Sequence, residues 1–211
     1  RDREGRVLAG APGAGRDAGR ARVVCAGGGV RGVECASWSR LRGAEGRIIE
    51  AIPRLVAGED EAISKQLERS FRKRKINIQT GVKFSGASQS GDVVQVSLES
   101  GEPIEADLLL VAVGRGPVTA GLGYEEAGVT VDRGFVLTNE RCQTNVEGIY
   151  AVGDIVPGLQ LAHRGFGQGI FVAEQIAGLN PPVIDEMGIP RVTYCEPEIA
   201  SVGYTEAQAK E

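Results

Sequence analysis

The run Gly27-Gly28-Gly29-Val30-Arg31-Gly32-Val33-Glu34 carries the residues best suited to holding a phosphate. It contains G-x-G-x-x-G: Gly27 permits a tight turn, Gly29 lets backbone approach a pyrophosphate, and Gly32 lets a helix pack closely on a strand. In a chain with 31 glycines the pattern alone is a weak signal, and its setting is what strengthens it. Val23-Val24-Cys25-Ala26 precedes it as a short buried-type strand, and a helical stretch to about Arg42 follows. The run therefore opens a helix whose unpaired N–H groups and positive dipole end would face phosphates. Glu50 stands 18 positions after Gly32, at the end of the next strand. A carboxylate there can accept both hydroxyls of an adenosine ribose and repels a 2′-phosphate, which predicts NAD(H) over NADP(H). Arg54, four residues on, is the cation that could weaken this preference.

Other chemistry-bearing residues are sparse. His163 is the only histidine, and at a predicted helix start it reads as structural rather than as a general base. Cys25, Cys35, Cys142 and Cys195 have neither disulfide-framework nor zinc-type spacing, and no metal site is expected. Asp154 ends a strand-like stretch, Gly148 to Asp154, where a carboxylate could reach a cofactor hydroxyl or close a Gly-Asp turn.

The elements that must position these residues follow from periodicity. Strand, glycine turn, helix and the strand Arg47 to Glu50 make a parallel βαβ crossover. A helix from Glu59 to Lys75 presents Ile63, Leu67 and Phe71 as one apolar stripe, and its closing run Arg72-Lys73-Arg74-Lys75 suits the negative dipole end. Ile76 and Ile78 suggest a third strand. Val94, Val96 and Leu98 alternate between turn signals as an antiparallel meander would, and Leu108 to Val113 is a buried parallel-type strand. After Pro117 come a loop-rich stretch, the strand to Asp154 and a helix from Ala162 to about Gly178. Past Asn180-Pro181-Pro182, strand-like pieces appear at Arg191 to Cys195 and Ile199 to Tyr204, followed by the start of a helix. Arg1 to Arg22, rich in Gly, Ala and Arg, reads as a linker or ill-ordered lead.

Composition is that of a globular protein, with 42% hydrophobic and 25% charged residues. A net charge of -4 with interspersed signs makes no case for nucleic acid or an anionic membrane. No stretch approaches the ~20 apolar residues of a spanning helix, and no signal-peptide core is present. A reducing cytoplasm is the expected compartment.

Together these residues resemble the pyridine nucleotide-disulfide oxidoreductases, nearest the dihydrolipoamide dehydrogenase branch that serves 2-oxoacid dehydrogenase complexes. The resemblance rests on Gly27 to Glu34, Glu50 to Leu55, Val111 to Arg115, Thr144 to Asp154, Leu161-Ala162-His163 and Tyr194 to Gly203. It implies an α/β chain made of a Rossmann-like NAD-binding domain with an antiparallel meander, part of an FAD domain and the start of an α+β dimerisation domain. The expected limits are 1–21 for the lead, then 22–117, 118–187 and 188–211. NAD and FAD are the implied cofactors and a homodimer the implied state.

By the same resemblance Gly27 to Glu34 line the NAD site, with Glu34 toward nicotinamide and flavin. Glu50 holds the ribose, Gly114 lies beside the nucleotide, and the backbone at Phe84 neighbours the adenine. Asp154 binds the ribityl chain of FAD, and the N–H groups after Leu161, at Ala162 and His163, support a flavin carbonyl. The family's Cys-x4-Cys redox pair has no counterpart here, so the chain reads as a fragment that would not exchange dithiols alone. Two departures stand inside the match. Arg31 replaces an apolar residue, where it would bind phosphate or obstruct the nicotinamide, and Gly46-Arg47 interrupts an apolar strand start.

Overall fold

The computed structural model describes residues 7–9 and 21–211. Contacts divide the chain into two compact units, Arg1–Gly114 with Val192–Glu211, and Arg115–Arg191. The first unit runs through β1 (Val7–Ala9), β2 (Arg22–Ala26), α1 (Val30–Leu41), β3 (Glu45–Glu50), α2 (Glu61–Lys73) and β4 (Asn77–Thr80). It continues through β5 (Phe84–Ser90), β6 (Val93–Leu98), β7 (Ile104–Ala106) and β8 (Leu108–Val111). A parallel sheet has the order β1-β8-β2-β3-β4, and β5-β6-β7 form the expected antiparallel meander.

Strand alternation explains how the sheet is covered. Val23, Cys25, Ile48 and Leu110 point to one face and pack with Val33 and Ala36 of α1 and Leu67 and Phe71 of α2. Val24, Ala26, Ile49 and Leu109 point to the other and meet Val94, Val96 and Ala106 of the meander. With both faces covered, the strands carry continuous apolar runs instead of an alternation of apolar and polar residues.

Two expectations for this unit are corrected. Within the lead read as linker, Val7–Ala9 pairs in parallel with Leu109, Leu110 and Val111, Ala21 packs against the core and Arg22 belongs to β2; residues 1–6 and 10–20 lie outside the described residues. On α2 the buried face is Ser64, Leu67 and Phe71, while Ile63 is 39% exposed. Ser64 takes the inward position because its hydroxyl is satisfied there: Oγ donates to the Leu55 carbonyl at 2.7 Å and accepts from Arg54 Nη1 at 2.8 Å.

The second unit has a small core of Val129, Val136, Ala151 and Val156 beneath a hairpin of β9 (Val131–Asp132) and β10 (Phe135–Val136). Its main helix is α3 (Ala162–Ile176). The strand expected from Gly148 to Asp154 does not form. Only the isolated bridge Gln143↔Tyr150 remains of it, and Gly153–Ile155 is a turn of 3-10 helix. A strand needs ladder partners, and positive φ at Gly148 (78°) and Gly153 (80°) bends the backbone at both ends.

The closing segment contains β11 (Arg191–Thr193), paired with β12 (Ile199–Ser201), and α4 (Glu206–Ala209), whose N-cap Thr205 forms a capping box with Gln208. From Val192 onward it groups with the first unit. Cys195 and Ile199 enter the core beneath α1 and α2. The Glu196 N–H donates to Ser37 Oγ at 2.9 Å, and Arg74 Nη1 donates to the Glu196 carbonyl at 2.6 Å. No helix among the described residues is long and apolar enough to cross a membrane.

Candidate nucleotide and flavin sites

At the carboxyl end of the parallel sheet, β2 runs into the glycine turn and α1 leaves it. Each glycine has its own reason. Gly27 has φ 114°, and a Cβ there would lie 2.3 Å from the Ala112 carbonyl oxygen. A Cβ on Gly32 would sit 1.7 Å from the Gly27 carbonyl oxygen, so only glycine lets α1 start this close to β2. Gly28, which the spacing pattern leaves free, is required as well: its Cβ would meet Leu55 Cδ2 at 2.5 Å and Glu50 Cβ at 2.9 Å. Gly29 differs, with nothing within 4 Å of where its Cβ would be. It is the N-cap of α1, which has no side-chain cap and no acid in its first turn, so the helix N–H groups face open space at Gly29. Val33 is buried under this turn and Val30 is 46% exposed at its rim.

Glu50 closes the turn from β3. One carboxylate oxygen accepts from the Gly28 N–H at 2.5 Å and the other from the Ile52 N–H at 2.9 Å. A carboxylate offers about four lone-pair directions, so two remain for ligand hydroxyls. Arg54 is drawn away from this site: it donates to the carbonyls of Ala57 and Glu59 and to Ser64. The segment before β5 joins the same rim, with the Gly81 N–H on the Ile52 carbonyl and the Val82 N–H on the Glu50 carbonyl, each at 3.0 Å. Phe84, two residues further, packs half-buried on the sheet. Gly114 (φ 155°) has nothing within 4 Å of its would-be Cβ. Glu34 accepts a hydrogen bond from the Tyr194 N–H at 2.8 Å, a contact no local pattern announces.

A hollow of about 480 Å³ lies elsewhere in the first unit, lined by Arg22, Glu45, Arg47 and Gln79 among others. Arg22, Glu45 and Arg47 place it along the opening residues of β2 and β3, with Gln79 of β4 and Val82 just after it beside them; ligands of parallel sheets bind at the strands' carboxyl ends, so the glycine turn is the stronger candidate.

In the second unit Asp154 lies on the 3-10 turn rather than on a strand end. Its carboxylate takes a hydrogen bond from Arg115 Nη2 at 3.1 Å. Arg115 adjoins Gly114 in a stretch already singled out, so its position was a usable signal, though the role was not foreseen. The turn is held against α3 by the Gly153 N–H, which donates to Gln168 Oε1 at 2.7 Å. Leu161 is the N-cap of α3 in extended conformation without a side-chain cap, leaving the N–H groups of Ala162 and His163 available. His163 itself is exposed, and its Nε2–H donates to the Pro190 carbonyl at 2.8 Å.

All four cysteines are free thiols. Burial pushes Cys35 and Cys195 up to about 11, with the nearby Glu34 charge adding to the effect, and raises Cys25 and Cys142 as well. None has the lowered pKa of a reactive thiolate. Among the described residues no group of His, Cys, Asp and Glu could hold a metal ion.

Comparison with known proteins agrees with this geometry. A family model described as pyridine nucleotide-disulphide oxidoreductase matches residues 3–169, which brings the lead, expected to fall outside the resemblance, into it. Dihydrolipoyl dehydrogenases of Chlorobaculum parvum and Bacillus subtilis are each 42% identical, over 191 and 195 residues. These spans are 89% and 90% of this chain and 41% of each relative. The HOCl-induced flavoprotein disulfide reductase RclA from Escherichia coli superposes with a TM-score of 0.83 at 30% identity, over 90% of this chain and 44% of that one. A match of this extent, on a parallel sheet that carries the glycine turn at its carboxyl end, makes the chain a member of the pyridine nucleotide-disulphide oxidoreductase family.

Proposed function

We propose that residues 22–114 bind NAD(H) in preference to NADP(H). The parent we propose is an NAD-linked flavoprotein of the dihydrolipoyl dehydrogenase kind, in which electrons pass from dihydrolipoyl thiols through a disulfide and FAD to NAD⁺. The observation that carries the nucleotide preference is Glu50. Two backbone N–H groups aim its carboxylate and leave two lone-pair directions for the ribose hydroxyls, while its charge opposes a 2′-phosphate. Arg54, the cation that could reverse the preference, is committed to its own loop. Gly29 and the first turn of α1 would take the pyrophosphate, with Gly114 beside it and the Phe84 segment at the adenine end.

For FAD, the fitting residues are Asp154, aimed by Arg115, and the uncapped N–H groups of Ala162 and His163 after Leu161. The bound cofactors would supply hydride and electron transfer; the chain's residues bind and orient them. The chain spans 41% of its curated relatives, and its four thiols are held protonated, so the dithiol step falls to other cysteines. Kinship with dihydrolipoyl dehydrogenases also supports a homodimeric parent, associated with a 2-oxoacid dehydrogenase complex in the cytoplasm. The 211-residue chain alone is then a nucleotide-binding module without dithiol activity.

Calorimetric titration of the folded chain with NADH and NADPH tests this reading. Saturable NADH binding with much weaker NADPH binding is expected, and failure of the folded chain to bind NADH refutes it.

A further inference from the structure

Arg31 is poorly placed for stability. It is the second residue of α1, where the positive end of the helix dipole disfavours a cation. It is half-buried and has no hydrogen-bond or ion-pair partner among the described residues. Other inward-lying arginines are engaged: Arg22 by Asp107, Arg40 by the Arg74 carbonyl, Arg54 by its loop and Arg164 by Glu186. The natural partner, Glu34, lies three residues on, but its carboxylate takes the Tyr194 N–H. Arg47 also lacks a partner among the described residues but lies near the start of β3, away from the turn. A residue that violates a local rule of the fold marks a site where function compensates.

Side chains on a helix lean toward its N-terminus, so the reach of Arg31 covers the turn before α1. That is where the space beside Gly29 is open. We propose that Arg31 binds the pyrophosphate of the dinucleotide, which resolves the choice between phosphate binding and obstruction of the nicotinamide. The contact is then common to adenine nucleotides with a pyrophosphate bridge, with or without a nicotinamide. The inference rests on the dinucleotide reading above.

Calorimetry of the 211-residue chain and its Arg31→Met and Arg31→Lys variants, with NADH and with ADP-ribose at low and high ionic strength, tests it. Arg31→Met should weaken both ligands by about tenfold and flatten the salt dependence, as expected for loss of a charge-assisted contact. Arg31→Lys should keep most of the salt dependence. The melting temperature of ligand-free Arg31→Met should not fall, so weaker binding cannot be ascribed to unfolding. Unchanged affinity in Arg31→Met overturns the proposal. Tighter NADH with unchanged ADP-ribose also overturns it, in favour of obstruction. If the folded wild-type chain binds neither ligand, the dinucleotide reading fails and this inference with it.

Discussion

Replacing Glu50 by glutamine keeps the side chain's shape and removes its charge. The carboxylate accepts from the Gly28 N–H at 2.5 Å and from the Ile52 N–H at 2.9 Å, but an amide has only one oxygen for the two donors. The Ile52 bond is exposed and the Gly28 bond partly buried, so the amide oxygen serves Gly28 and water serves Ile52. The stability cost is then about 1 kcal/mol, the low end for an orphaned donor. Hydrogen bonds to a charged group are worth about 1.5–3 kcal/mol and neutral ones about half. Two ribose contacts that lose their charge therefore weaken NADH binding roughly 10- to 100-fold. For NADPH the sign reverses. A carboxylate about 4 Å from a phosphate is opposed by about 1 kcal/mol per charge pair in water and about 4 at a protein surface, so removing it improves NADPH binding roughly tenfold. The preference for NADH should fall by roughly 100-fold or more. Calorimetry with both nucleotides, beside a thermal melt, measures each quantity. A folded Glu50→Gln chain with wild-type NADH affinity, or an unchanged ratio of the two, would refute the assignment of Glu50.

The glycines separate fold from site. Gly32→Ala, with its Cβ 1.7 Å from the Gly27 carbonyl oxygen, should destabilise the chain by more than about 4 kcal/mol in urea melts. Gly29→Ala, with open space around it but at an N-cap where glycine is preferred, should cost only about 0.5–1 kcal/mol yet lose NADH binding. Arg164, buried against Glu186 and the Pro157 carbonyl, should on change to Met destabilise the second unit by about 2–3 kcal/mol, read as faster amide exchange along α3. Cys35 and Cys195 are raised from an ordinary 9.0 to about 11 because folding disfavours their thiolates. Their stability contribution is intact below pH 9 and is lost as pH rises toward 11, so melting temperature should fall across that window, and less steeply in Cys35→Ala and Cys195→Ala variants. Gly46→Ala, whose Cβ would meet nothing closer than 3.7 Å, should stabilise the chain by about 0.5–1 kcal/mol in denaturant titrations.

The glycine turn and the elements around it were legible because their signals are local. The turn at Gly27, Gly29 and Gly32, the buried strand before it and the carboxylate at the end of β3 lie within 28 residues, and each constrains its neighbours sterically or by charge. The meander was readable from the alternation at Val94, Val96 and Leu98, which now face the sheet or its edge. Gly46 packs without a side chain near Ala36 and Ile76, and Arg47 has no partner among the described residues.

What escaped depends on chain brought from far away. Val7–Ala9 is only three residues in a Gly- and Arg-rich stretch, and its ladder partner, Leu109–Val111, lies some hundred residues on. The residues Gly148 to Asp154 have strand composition, yet composition cannot supply the neighbouring backbone that a strand's N–H and C=O groups need, and just one bridge forms. Two serines held a usable clue. Ser37 and Ser64 are 2% and 1% exposed on the inward faces of α1 and α2, where apolar residues are the default. A hydroxyl is stable there only if something meets it. Ser64 Oγ accepts from Arg54 and donates to the Leu55 carbonyl in the loop after β3, and Ser37 Oγ accepts from the N–H of Glu196, 159 residues away. Ser39, also buried on α1, is met within its own helix by the Cys35 carbonyl at 2.6 Å, so a core-stripe serine marks docked chain only where that local bond is not made.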